Sequence, residues 1–241
     1  SYGIIFREVS VAYATLLRGE EPALPPVTLQ YADYALWQRE RVSGERLDHQ
    51  LAFWRQAMAG APKVLELPTD RPRPPDFGHR AARHTFTLPS DLAAGLLVMA
   101  RREGAPLFTV LLAAYQVLLA RWSGQEDLVV GCPVAGRPGM GMEYIVGLFQ
   151  NMLAIRADLS GDPTFREMLR RVNERVLNAS HHQDLPFERL VEELQVERSL
   201  GHEPIFQTAF SFETPLTGPI LDQILGSLTQ LNLHSTADRC S

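Results

Sequence analysis

The chain has 241 residues, of which 45% are hydrophobic and 21% charged, and a net charge of −5. That suffices for a sizeable core in one large domain or two small ones. The balance excludes an obvious nucleic-acid groove or anionic-membrane surface, because no run of like charge exceeds a few residues. No apolar run is long enough to span a bilayer. Cys132 and Cys240 lie too far apart in sequence to suggest a disulfide framework or metal cluster, so a reducing, cytoplasmic setting is expected. The opening SYGIIFREVS has neither an initiator Met nor a signal-peptide layout, and HSTADRCS stops without a turn. Both ends are expected to be cut rather than finished.

Ile5, Val9, Ala12, Tyr13, Leu16 and Leu17 recur at helical spacing up to Gly19, a candidate left-handed cap. A proline-rich connection leads to YADYALWQRERV, where Tyr31, Tyr34 and Trp37 predict an aromatic helix face, better explained by packing than by ligand binding. A third helix, LDHQLAFWRQAMAG, should end at Gly60, and LPTDRPRPPDFGHRA then reads as a surface crossing or linker. A lobe boundary is expected there.

Arg83 to Leu88 alternates enough for a strand, and Ser90-Asp91 is expected to cap a helix closed by Gly104. Pro106 opens LFTVLLAAYQVLLARW, apolar on nearly every face and therefore expected in the core. The segment 127–156, DLVVGCPVAGRPGMGMEYIVGLFQNMLAIR, reads as two buried strands flanking a Gly/Pro-rich loop. Its polar residues among apolar neighbours make it the natural place for a binding wall. Asp162-Pro163 is expected to start the next helix, HHQDLP is a polar link, and Asp184 is a candidate cap for FERLVEELQ. PIFQTAFSFE and SLTQLNLHS are further strand candidates. Mixed helices and strands with helix-length connections give an α/β layered fold.

Catalytic motifs are scarce. Gly131 and Gly136 have phosphate-loop spacing, but Arg137-Pro138 stands where a Lys and a hydroxyl residue are needed. No G-x-S-x-G turn is present. His181 and His182 are adjacent and so point apart, which favours a structural role over a shared metal. Arg137 is either a solvated loop charge or the partner of a buried carboxylate.

Four blocks together resemble the condensation domain of nonribosomal peptide synthetases: YADYALWQRE (31–40), VGLFQNMLAIR (146–156), HQDLPFE (182–188) and RSLGHEPIFQ (198–207). The resemblance implies a chloramphenicol acetyltransferase-like fold with two lobes about a tunnel. Carrier proteins would bring thioester substrates there on phosphopantetheine arms, with no cofactor bound by the chain itself. Carrier-protein domains and adjacent synthetase modules are the implied partners, with no nucleic acid or membrane. By resemblance, Asn151, His182, Gln183, Asp184 and Arg137 belong to the tunnel or its wall. Tyr31, Asp33, Trp37, Gly147, Phe149, Pro186, Phe187, Glu188, Arg198 and Pro204 belong to the structural motifs.

The family's His-His-x-x-x-Asp-Gly motif is not found within residues 1–241. The chain is therefore expected to be an inactive fragment with no catalytic residue of its own. Residues 1–68 would be a helical remnant of the first lobe, 69–82 a crossing linker, and 83–241 a nearly complete second lobe truncated at its end. Two alternatives are a non-catalytic lobe that docks carrier proteins and an acyltransferase using His181 or His182 with coenzyme A.

Overall fold

The computed structural model describes residues 2–71, 81–137, 139, 141–142, 144–195 and 202–213. Its sheet forms where the sequence is most steadily apolar. Strands β1 (Asp127–Val134) and β2 (Asn151–Asp158) pair antiparallel, from Asp127 opposite Asp158 to Val134 opposite Asn151. Residues 128–132 of β1 and 153–155 of β2 are buried, as a covered sheet requires. On the other side of β1, Gly131 N–H donates to Thr208 O at 3.0 Å and Phe210 N–H donates to Gly131 O at 2.8 Å. The contact is a parallel bridge from Gly131 to Ala209, so PIFQTAFSFE pairs only in passing. Glycine is needed at 131 because a Cβ would lie 2.3 Å from the Phe206 ring.

Seven helices are described: α1 (Tyr2–Leu17), α2 (Tyr31–Arg41), α3 (Gly44–Met58), α4 (Ser90–Arg102), α5 (Leu107–Ser123), α6 (Phe165–His181) and α7 (Phe187–Glu193). Contacts divide the chain into two units, described separately below. One comprises Ser1–Arg41, Arg137–Phe149 and Glu213–Ser241; the other comprises Val42–Gly136 and Gln150–Phe212. The second unit holds the main core. There Val110, Leu112 and Ala113 of α5 and Met168, Leu169 and Val172 of α6 pack with the buried residues of β1 and β2. Leu51, Trp54 and Met58 of α3 and Leu190 of α7 complete that core. In the first unit Tyr34, Ile145 and Phe149 form a small cluster with Met142 against it.

Several expected details differ. Residues 83–88 form no strand and are exposed, having no sheet partner among the described residues. The helix expected after Ser90 forms, but Pro89 holds its cap position and no side chain caps it. Helix α5 is not buried all round: Leu118 is 47% and Trp122 66% exposed, because the core needs only one face of it.

At α6 the cap is Thr164 rather than Asp162. The Thr164 side chain accepts from Glu167 N–H and the Glu167 carboxylate accepts from Thr164 N–H, a reciprocal capping box. Nor does Asp184 cap α7, whose cap position is Pro186. SLTQLNLHS lies outside the described residues. Among the described residues no single helix is long and apolar enough to cross a membrane.

Core burial and helix capping predict different penalties. Leu112→Ala, at a fully buried site, should lower the unfolding free energy by about 3 kcal/mol through lost transfer energy and a cavity. Thr164→Ala should cost about 1 kcal/mol. Urea melts check both, and equal penalties would contradict the assignment of α5 to the core centre.

Candidate functional site

The site in the second unit is built on one carboxamide. An Asn side chain offers two N–H donors and an oxygen with two lone pairs, and Asn151 at the start of β2 uses all four. Its Nδ2 donates to Gln183 O at 2.9 Å and to Leu185 O at 2.8 Å. Its Oδ1 accepts from Phe187 N–H at 3.0 Å and from Met152 N–H at 2.9 Å. The turn between α6 and α7 is thereby fastened to the sheet, and an N-terminal donor of α7, left without an intrahelical acceptor, is satisfied.

The other residues of the turn are held in turn. His182 follows the last residue of α6, and its Nδ1 lies 2.8 Å from Asn178 O. A carbonyl only accepts, so Nδ1 carries the proton. The imidazole stacks on Phe53 of α3, with ring centres 3.8 Å apart and planes 7° from parallel, and lies 5.1 Å from the His49 ring. Its backbone carbonyl accepts Trp54 Nε1–H at 3.0 Å. Asp184 pairs with Arg46 at 2.6 Å. Gln183 enters the clamp through its backbone. Leu185 is buried, Pro186 O accepts from Arg189 and Leu190 N–H, and Glu188 lies in the first turn of α7. The Phe187 ring lies 5.1 Å from Phe206, whose N–H donates to Pro204 O at 2.8 Å.

Below the turn, Arg156 of β2 holds Asp127 of β1 with both ends of its guanidinium, at 2.8 and 2.6 Å. It also donates to Ala57 O and Ala59 O at the end of α3, at 3.3 and 2.7 Å. The Asp127 carboxylate raises the Arg156 pKa, chiefly through these hydrogen bonds. A cavity of about 660 Å³ lies against these residues, lined by α3, β2 and α6 and reaching His182.

In the first unit a second cluster joins α2 to residues 137–149. Tyr31 OH donates to Leu148 O at 2.7 Å, and its ring meets Phe149 edge-on at 5.4 Å. Tyr34 lies 4.5 Å from Phe149 and 5.9 Å from Trp37, over which Arg41 sits at 5.0 Å. Glycine at 147 lets the Tyr31 ring approach, since a Cβ there would lie 2.2 Å from it. Asp33 accepts Gln30 N–H at 2.8 Å, tying down the start of α2. Arg137 donates to Met142 O and to Ile145 O, the latter at 3.0 Å, with its guanidinium 4.1 Å over Phe149. Its charge is thus used in folding its own loop.

The structure brings Asn151, His182, Gln183, Asp184, Pro186 and Phe187 together in one unit, and Tyr31, Gly147, Phe149 and Arg137 in the other. Arg198 lies outside the described residues. Sequence reasoning missed Arg46, Phe53 and Trp54, which only the folded chain places beside the turn. The Asp127–Arg156 pair had a signal: an acid and a base set near opposite ends of two apolar runs. Among the described residues no group of three His, Cys, Asp or Glu side chains is placed to hold a metal.

The profile of the Condensation domain family matches residues 1–236. The chain is 49% identical over 225 residues to a linear gramicidin synthase of Brevibacillus parabrevis, covering 93% of this chain and 3% of that protein. To malpinin synthetase of Mortierella alpina it is 43% identical over 213 residues, covering 88% of this chain and 3% of the relative. The chain thus spans only a few per cent of those synthetases. Among solved structures it matches the X-domain from teicoplanin biosynthesis with a TM-score of 0.81 and 34% identity, over 86% of this chain and 47% of the other. That X-domain has also been solved in complex with OxyB. A four-domain nonribosomal peptide synthetase matches with a TM-score of 0.76 and 29% identity, over 88% of this chain and 16% of the other.

Asn151→Ala removes the partner of two carbonyls and two amides and should lower stability by about 2 kcal/mol or more. Asn151→Asp keeps the acceptor half but sets a carboxylate oxygen against the carbonyls of Gln183 and Leu185, so it should cost at least as much as Ala at neutral pH, as urea melts can compare. A second expectation concerns Cys132, whose thiol is pushed up to about 12 by burial. Being protonated and covered at neutral pH, it should resist iodoacetamide until the chain unfolds, which peptide mapping can follow.

Proposed function

This chain belongs to the condensation-domain family, and from that premise we propose that it supplies part of the wall of an amide-forming acyltransferase. The complete domain joins aminoacyl or peptidyl thioesters presented on the phosphopantetheine arms of carrier proteins. The acceptor amine attacks the thioester carbonyl; a C–N bond forms, the C–S bond breaks, and the amine's proton ends on the departing thiol. Holding both reactants supplies the entropic share of the acceleration, and a histidine of the His-His-x-x-x-Asp-Gly type fits the proton transfer.

Residues 1–241 have no such motif, and His182 has the bonding of a structural residue. It is stacked on Phe53 and gives its Nδ1 proton to a carbonyl. We assign no catalytic group to this chain, which acts by shaping the site. Residues 1–68 then derive from the first lobe of the complete domain, 69–82 from the crossing, and 83–241 from the second lobe. Asn151, His182, Gln183, Asp184 and Arg137 are the wall candidates, and carrier domains and neighbouring modules are the partners.

The observation that carries this proposal is the four-bond clamp of Asn151. It fixes the HQDLPFE block, the most family-specific stretch of the sequence, to the strand of the second block.

The test is an amide-forming assay with two loaded carrier proteins. Residues 1–241 alone should give no product, whereas a complete domain containing them should turn over. Asn151→Ala in that domain should lower kcat/KM about tenfold, the effect of losing roughly 1.4 kcal/mol of transition-state positioning. Product from residues 1–241 alone would contradict the assignment. Carrier binding without product in the complete domain would instead support a docking lobe.

A further inference from the structure

Helix α6 carries a stripe of donors that the fold does not use up. Arg171, Arg175 and Asn178, with His182 just past the helix end, follow one another at spacings of four, three and four residues, so they share one helical face. That face lines the cavity of about 660 Å³, which lies within the roughly 300–1,000 Å³ range of small-molecule sites. Across it, Phe53 and Ala57 of α3, both half-buried, form an apolar wall over the buried Trp54 and Met58. Gln56, Glu174 and Asn178 also line the cavity and are exposed, so it opens to solvent between the two helices.

The positive charge on this face is only partly compensated. Arg175 is half-buried and makes no hydrogen bond or ion pair among the described residues. Arg171 spends only Nη1, on the carbonyls of Asp158 and Ser160 at 3.1 and 3.3 Å. Two cations one helical turn apart repel each other, and the acids within reach are engaged elsewhere. Glu174 is held by Arg170 at 2.7 Å, and Asp127 by Arg156 at 2.6 Å. The Asp158 carboxylate accepts Ser160 N–H at 3.0 Å, and its pKa is lowered first by its bonds to Ser160 and then by the charges of Arg171 and Arg175. Asp158 thus senses both guanidinium groups without an ion pair to either.

We propose that this cavity binds a small organic anion, whose carboxylate or phosphate is held by Arg171 and Arg175 and whose flat apolar body lies against Phe53 and Ala57. A guanidinium fork matches two oxygens of such a group and holds them in charge-assisted hydrogen bonds. The anion also relieves the repulsion between the two arginines. This site needs neither a carrier protein nor a thioester, so it goes beyond the proposed acyl transfer, and either can fail without the other.

Titrating the full chain with phenylacetate, phenyl phosphate and neutral phenylacetamide tests the proposal, read by NMR shifts of the Arg171 and Arg175 Nε–H groups and the Ala57 amide. At least one of the two anions should give saturating shifts at all three, and phenylacetamide should not; the tighter anion identifies the head group. Arg175→Gln should weaken that anion about tenfold, the loss of one charge-assisted hydrogen bond. Arg121→Gln, on α5 and outside this cavity, should leave its affinity unchanged. In the unaltered chain, raising sodium chloride from about 0.05 M to about 0.5 M should also weaken the anion, a result that holds even if Arg175→Gln harms folding. Absence of saturating shifts with both anions, equal shifts with phenylacetamide, or an affinity indifferent to salt would overturn the proposal.

Discussion

The second unit depends on the side-chain amide of Asn151. The turn that follows α6 exposes carbonyls at Gln183 and Leu185 that neither helix can satisfy, and α7 begins with an unpaired N–H at Phe187. One planar group at the start of β2 answers all three and also bonds the N–H of its neighbour Met152. No apolar residue could substitute, because the part-buried Leu185 carbonyl and Phe187 N–H would lose their partner. The interactions of His182 and Asp184 follow from this placement. With the turn fixed, the imidazole falls onto Phe53, the His182 carbonyl onto the Trp54 indole, and the Asp184 carboxylate onto Arg46.

The same device appears in the first unit with different chemistry. There a loop rather than a turn must be fixed, and Arg137 provides donors to Met142 and Ile145 carbonyls while covering the Phe149 ring. Tyr31 closes the other end by donating to Leu148 O, at a distance that glycine at 147 makes possible. Both clusters use polar side chains to saturate carbonyls that regular secondary structure leaves open. Family motifs that look like catalytic signatures can thus be scaffold chemistry.

Much of the fold was legible in the sequence, for identifiable reasons. The apolar runs of β1 and β2 and the helical segments of α1 to α6 are local signals, and these elements form in the structure, although α5 leaves Leu118 and Trp122 exposed. Helix starts were less legible. At α6 the Thr164-to-Glu167 capping box lies just beyond the Asp-Pro pair that seemed the stronger cue, and at α7 Asp184 is drawn off to Arg46, far away in sequence. Residues 83–88 show the limit of alternation: a strand pattern makes no strand without a neighbour. For the site, the HQDLPFE block was visible as a block. Its attachment to Asn151 was not, because hydrogen-bond partners some 32 to 36 residues apart in sequence leave no periodic trace.

Native-state hydrogen exchange at the Phe187 amide tests the central claim most directly. If Asn151 Oδ1 anchors it to β2, that amide should exchange only with global unfolding, at a free energy equal to those of the paired β2 amides. Exchange at the low free energy of a fraying helix end, independent of the sheet, would contradict it.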